Sequence, residues 1–277
     1  MKNTDVSELK KIANELRQSV IKMVYQAQSG HPGGSLSAAE IVTALYFREM
    51  NIDPQNPKWE DRDRFVLSKG HACPIQYAAL AKRGYFDESE LSTLRKEGSI
   101  LQGHPDMKKT PGIDISTGSL GLGFPSATGM AIAAKRDGKD YRVFVVLGDG
   151  ECQEGIVWEG AQVANKYQLD NLVIFVDNNN LQIDGTCDEV MPNIDLGKKF
   201  AAFGFEVYEI NGNDMEQVVD VLDRIAEKRD SGKPKCIFAD TVKGQGVSYM
   251  ENQCDWHGKA PNTELYEQAM RELGGTL

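Results

Sequence analysis

The run Val143-Phe144-Val145-Val146-Leu147-Gly148-Asp149-Gly150-Glu151-Cys152-Gln153-Glu154-Gly155 decides the fold. Five consecutive apolar residues, three of them valine, end abruptly at a Gly-Asp-Gly turn, the pattern of a strand buried on both faces. A helical pattern over 156–167 follows, and then a second apolar run, Leu172 to Asp177. Strand, helix and strand in that order predict a βαβ unit with parallel strands. Working outward, short β-branched or aromatic runs at 64–67, 141–147, 205–210 and 235–242 predict further strands, and 196–203, 214–228 and 264–273 predict helices. Capping boxes at Asp5-x-x-Glu8, Ser37-x-x-Glu40 and Asp87-x-x-Glu90 predict three more helix starts, the first helix running until Gly30 and the second to about Phe47. The expected fold class is α/β, a parallel β-sheet flanked by helices on both faces. No repeat or linker divides residues 1–277, which are read as one domain.

Composition narrows the function. The 277 residues are 40% hydrophobic and carry 41 acidic against 31 basic side chains, a net charge of −10. An acidic chain without a basic stripe speaks against nucleic acid as partner, and an anionic ligand must be held by local chemistry. The polar start and the shortness of the apolar runs predict neither a secretory leader nor a membrane span. Five scattered cysteines with no C-x-x-C pair argue against a disulfide framework or a zinc site, and for a reducing cytoplasm. No Gly-Lys pair is followed by Ser or Thr, so there is no Walker A loop, and neither H-E-x-x-H nor G-x-S-x-G occurs. Gly118, Gly121 and Gly123 have the wrong spacing for a nicotinamide fingerprint.

Ligands of such sheets bind beyond the carboxyl ends of the strands. Long loops at 97–124, 178–195 and 243–262 are therefore the places to look. All four histidines flank a glycine: Gly30-His31, Gly70-His71, Gly103-His104 and His257-Gly258. That pattern places them on loops, where an imidazole of ordinary pKa suits proton transfer in polyol or carbonyl chemistry. The second constellation lies at two strand ends, Gly148-Asp149-Gly150 and Asp177-Asn178-Asn179-Asn180-Leu181. One carboxylate, one amide and one backbone carbonyl can converge on a hard cation, and Mg²⁺ takes the rest of its shell from water and phosphate oxygens, which implies a diphosphate ligand. The helix N-terminus after Gly150 adds anion potential.

At this point the sequence resembles a known family. Gly148-Asp149-Gly150 followed by Asn179 is similar to the thiamine diphosphate motif. Ser29-Gly30-His31-Pro32-Gly33-Gly34, Asp63 to His71, Gly103-His104-Pro105, Thr117-Gly118-Ser119-Leu120-Gly121 and Trp256-His257-Gly258-Lys259 narrow the resemblance to the transketolase family, from about Leu16 to Pro261. The resemblance implies a thiamine diphosphate-binding fold of the pyrophosphate type. It also implies that Asp149, Asn179 and the Leu181 carbonyl bind Mg²⁺, that His71 and Gly150 hold the diphosphate, and that Gly118 and Leu120 meet the cofactor rings. His31, His104 and His257 would line the donor channel, Glu154 would lie at the contact between thiamine sites, and Lys69 and Lys259 are candidate polar contacts. Where some members carry a further His, this chain has Glu251-Asn252-Gln253-Cys254.

The pyrimidine and C-terminal domains of the family have no counterpart here, so the resemblance implies the N-terminal subunit of a split transketolase. A second subunit would carry the missing domains, two of each chain assembling as a heterotetramer. Together they would move a two-carbon ketol unit from a ketose phosphate to an aldose phosphate in pentose phosphate metabolism. The faces around 117–124 and 156–164, with Phe124, Pro125, Ile156 and Trp158 among glycines, are candidate docking surfaces, core packing being the alternative for each of these residues. The alternatives are another thiamine diphosphate enzyme, similar to deoxyxylulose phosphate synthase or specific for sulfosugars, and a non-catalytic paralogue.

Overall fold

The computed structural model describes residues 4–276. Five strands, β1 (Arg64–Leu67), β2 (Val143–Gly148), β3 (Leu172–Asn178), β4 (Glu206–Asn211) and β5 (Lys235–Asp240), form one sheet in the order β1-β2-β3-β5-β4. Every pairing is parallel, with Val146 opposite Leu67 and Phe175. The helices are α1 (Val6–Ala27), α2 (Pro32–Ser37), α3 (Ala39–Ala44), α4 (Cys73–Arg83), α5 (Gly123–Arg136), α6 (Gly155–Lys166), α7 (Cys187–Val190), α8 (Leu196–Ala202), α9 (Met215–Ala226) and α10 (Thr263–Glu272).

Strand alternation divides the core in two. Phe65, Leu67, Phe144, Val146, Val173, Phe175 and Ile237 face a layer built from α1, α3, α4 and α9. Val66, Val143, Val145, Leu147, Ile174 and Val176 face α5, α6 and α8. Side chains of successive strand residues point to opposite faces, so an unbroken apolar run is what a doubly covered strand requires. The expected α/β class and all five strands are therefore found, within a residue or two of the predicted ends.

Several local expectations are corrected. Asp5 does cap α1, accepting the amides of Ser7 and Glu8. Ser37 does not cap: it closes α2, and its hydroxyl donates instead to Asp177 at 2.6 Å. Its would-be box partner Glu40 is buried in an ion pair with Arg17. Asp87 caps a 3₁₀ turn over Glu88–Thr93 rather than an α-helix. A reciprocal capping box does occur at Thr186 and Glu189, opening α7 inside the 178–195 loop. The Gly33-Gly34 pair sits within α2, where a Cβ on Gly33 would lie 2.9 Å from the Trp256 carbonyl oxygen. Phe124 is wholly buried in this chain against Phe205, and Trp158 packs on Phe200 and Phe203 while donating to the Cys152 carbonyl. Neither is a free docking residue. No helix among the described residues is long and apolar enough to cross a membrane.

Candidate functional site

The carboxyl ends of β2 and β3 open onto a cavity of about 210 Å³ whose lining includes His71, Leu120, Asp149, Gly150, Asn179 and His257. Glu154, Leu181 and Lys69 also line it, so nine of the residues singled out from sequence meet there. His31 and His104 stand just outside. The His31 ring centroid lies 5.3 Å from that of His71, 5.4 Å from His257 and 6.4 Å from His104, while His71 and His257 are 4.9 Å apart. Gly118 completes the group, because a Cβ there would come within 3.1 Å of the His104 ring. Residues up to 226 positions apart in sequence thus form one continuous surface.

The histidines lie on connecting segments, as the flanking glycines suggested: His104 sits in irregular chain within the 97–124 loop, and the others are held where turns or helices begin or end. His31 precedes α2, His71 lies in a 3₁₀ turn (Gly70–Ala72) that leads into α4, and His257 ends another (Cys254–His257). They do not keep an ordinary pKa. Burial first, then the Arg95 guanidinium, lowers His31 to about 4. His257 falls to about 3 through burial and then Lys243, His71 goes well down through burial and Lys69, and His104 is lowered by burial and Arg95. All four are neutral imidazoles at neutral pH, each offering one donor and one acceptor.

Asp149 is 3% exposed. Burial, and then the neighbouring Asp177, raises its carboxyl to about 6. Its oxygens accept the Gly150 amide at 2.7 Å and the Asn180 amide, and the Asn179 side-chain oxygen accepts the Leu181 amide at 3.2 Å. The Leu181 carbonyl accepts the Lys243 ammonium at 3.0 Å, and the same ammonium donates to His257 Nδ1 at 3.1 Å. Carboxylate, amide and carbonyl oxygens are the donor set that a hard divalent cation takes, with room in its shell for ligand oxygens. A buried carboxyl pushed up by its surroundings, beside a carbonyl that already holds a cationic group, fits such an ion.

Lys243 and Arg95 were missed from sequence. Arg95 has a left-handed backbone (φ 61°) and reaches Ser29 Oγ at 3.1 Å, His31 Nδ1 at 3.3 Å and the Gly103 carbonyl at 3.3 Å. Lys69 lines the cavity while 2% exposed, with its ammonium paired to Asp177. Lys259 is exposed, with its ammonium 5.2 Å from the Trp256 ring.

A parallel sheet with Asp149 and Asn179 at adjacent strand ends defines the thiamine diphosphate-binding α/β fold. Residues 8–276 match the family described as "Transketolase, thiamine diphosphate binding domain", and the chain belongs to the transketolase family. It is 43% identical to a 6-deoxy-6-sulfo-D-fructose transketolase subunit of Clostridium sp. strain MSTE9, covering 96% of both chains. It is 44% identical to an apulose-4-phosphate transketolase subunit of Phocaeicola vulgatus, covering 93% of this chain and 90% of that one. Human transketolase is 41% identical over 96% of this chain, but the match spans 42% of the human protein. The transketolase structure from Campylobacter jejuni superposes with a TM-score of 0.91 at 34% identity, covering 98% of this chain and 43% of the other.

Proposed function

We propose that this chain is the thiamine diphosphate- and Mg²⁺-binding subunit of a split transketolase. The observation that carries the reading is the meeting of Asp149, Asn179, the Leu181 carbonyl and four neutral histidines around one cavity in a chain of this family. Asp149, Asn179 and Leu181 would hold Mg²⁺, and His71 and Gly150 would hold the diphosphate. Gly118 and Leu120 would meet the cofactor rings. Thiamine diphosphate supplies, when bound, the carbanion chemistry that breaks the carbon–carbon bond beside a ketose carbonyl. His31, His104 and His257 bind the ketose hydroxyls as uncharged rings, His31 and His257 donating from Nε2.

The partner is a second polypeptide with the pyrimidine-type and C-terminal domains, assembled as two of each chain in the cytoplasm. Its support is twofold. The relatives named as subunits match over nearly their whole length, whereas human transketolase is matched over 42%. Apolar side chains also stand exposed, Ile183 in the cavity lining at 65%, and Leu122, Val190, Met191 and Ile194 on the segments that lead to it, Ile194 at 77%. Exposed apolar side chains of this kind mark interaction surfaces, and Leu122 belongs to the docking face expected around 117–124.

The test is ketol transfer by the purified chain with Mg²⁺, thiamine diphosphate and a panel of ketose and aldose phosphates. Turnover is expected only after the partner polypeptide is added, and robust turnover by the chain alone overturns the split reading. A second expectation separates binding from folding. His104 is exposed, so His104→Ala should change stability by no more than about 0.5 kcal/mol. It should nonetheless raise donor KM or lower turnover at least tenfold. A large fall in melting temperature would make His104 a structural residue instead.

A further inference from the structure

We infer that Glu151 is a positioning residue that pins the 117–122 loop in the shape the cofactor rings require. The identity of the ring ligand rests on the reading above; the pin itself does not.

Glu151 lies in the 3₁₀ turn Gly150–Gln153 and is buried. Its Oε1 accepts the Gly121 amide at 2.8 Å together with the Ser68 hydroxyl, and its Oε2 accepts the Gly148 amide at 3.0 Å. One side chain therefore joins three segments: the residue beyond β1, the end of β2, and a loop with no regular structure of its own. The partners are two backbone amides and a hydroxyl, none of them charged. Burying a carboxylate is costly, the nearby Lys69 ammonium being itself paired with Asp177, and an apolar side chain of similar size would fill the space at lower cost. The gain is geometric, because charge-assisted bonds to amides fix the donors closely.

The loop needs such fixing. Its other end is pinned by the Thr117 hydroxyl, which donates to the Leu67 carbonyl at 2.7 Å. Gly118, Ser119 and Leu120 lie between the two pins. Gly121 has φ +83°, and a Cβ there would come within 2.9 Å of both Ile156 and Glu154 side-chain atoms. A Cβ on Gly123 would sit 2.7 Å from Ser68 Oγ, itself a donor to Glu151. The loop is thus pressed against the end of β1, and the Thr117 and Glu151 bonds bracket the stretch that carries Gly118 and Leu120.

The experiment compares wild type with Glu151→Gln by hydrogen exchange of the chain. The glutamine keeps the shape but offers one carbonyl oxygen and an NH₂ group, so at least one backbone amide faces a donor. Amides in peptides covering 117–122 should exchange at least tenfold faster, while β3 peptides and β2 residues ahead of Gly148 keep their rates. Ser68→Ala, which removes one of the three donors, should move the same peptide in the same direction by less. Glu151→Ala removes both acceptors, and unchanged exchange over 117–122 in both Glu151 variants, or an equal rise across β2 and β3, overturns the pin. A second arm measures thiamine diphosphate affinity by calorimetry with Mg²⁺ and the partner subunit present. The expected result is affinity at least tenfold weaker in Glu151→Gln with a smaller change in turnover at saturating cofactor; lost turnover at unchanged affinity overturns the positioning role. Should wild type itself bind no cofactor there, the functional reading fails, and the exchange arm still decides the pin.

Discussion

Replacing Asp149 by alanine is expected to weaken thiamine diphosphate binding at least a hundredfold in the presence of Mg²⁺. Asp149 is the single carboxylate among the three oxygens assigned to the ion, and Asn179 and the Leu181 carbonyl carry no formal charge to replace it. Mg²⁺ surrenders its water reluctantly, so loss of that charge removes the bridge to the diphosphate rather than loosening it. A hundredfold corresponds to about 2.7 kcal/mol. The alanine also strands the amides of Gly150 and Asn180, which the carboxylate now accepts, so some loss of stability is expected with it. Asp149→Asn separates the two effects, since it retains an acceptor but no charge. Calorimetry with the assembled enzyme should show both variants defective in cofactor binding, and asparagine affinity equal to wild type would remove the metal assignment.

The largest effect on stability is expected from Asp177→Ala. Asp177 lies wholly inside the chain and receives the Lys69 ammonium, the Ser37 hydroxyl and the Thr241 hydroxyl. Its removal leaves an ammonium buried with only the Gly34 carbonyl at 2.7 Å for company. Breaking a buried ion pair from one side costs about 3–5 kcal/mol, which for a chain of this size lowers the melting temperature by roughly 6–20 °C. Adding Lys69→Met to Asp177→Ala should recover part of that loss, because the stranded charge is gone. Thermal denaturation of the two single variants and the double variant reads the result directly. Additive losses would show that the two residues are not coupled.

The strands were legible because a doubly covered parallel strand leaves no polar position to confuse the pattern, as in Val143 to Leu147. Helices wrapped by the core were not, for the same reason. All residues of α4 from Cys73 to Ala81 are buried, so no polar face marks a helical period there. In α5 the glycines and Pro125 read as breakers, although Pro125 falls in the first turn, where a missing amide costs nothing. The Ser37 box failed because a side chain 140 positions away competes successfully with the local amide. At the site, the glycine-flanked motifs announced the histidines, Asp149 and Asn179. Lys243, Arg95 and Glu151 stayed silent, since each acquires its meaning from a contact made only by folding: Lys243 at Leu181, Arg95 at His31, Glu151 at Gly121.

Two of those contacts also settle where protons sit. Ammonium and guanidinium groups can only donate, so His257 Nδ1 beside Lys243 and His31 Nδ1 beside Arg95 must each present a lone pair. In a neutral ring that leaves Nε2 as the protonated nitrogen, and both imidazoles are held in the same tautomer by the cationic groups beside Nδ1. A ligand oxygen arriving at either Nε2 meets a hydrogen already in place and must answer with a lone pair. Substrate orientation is to that extent written into the polarity of the rings before any sugar arrives.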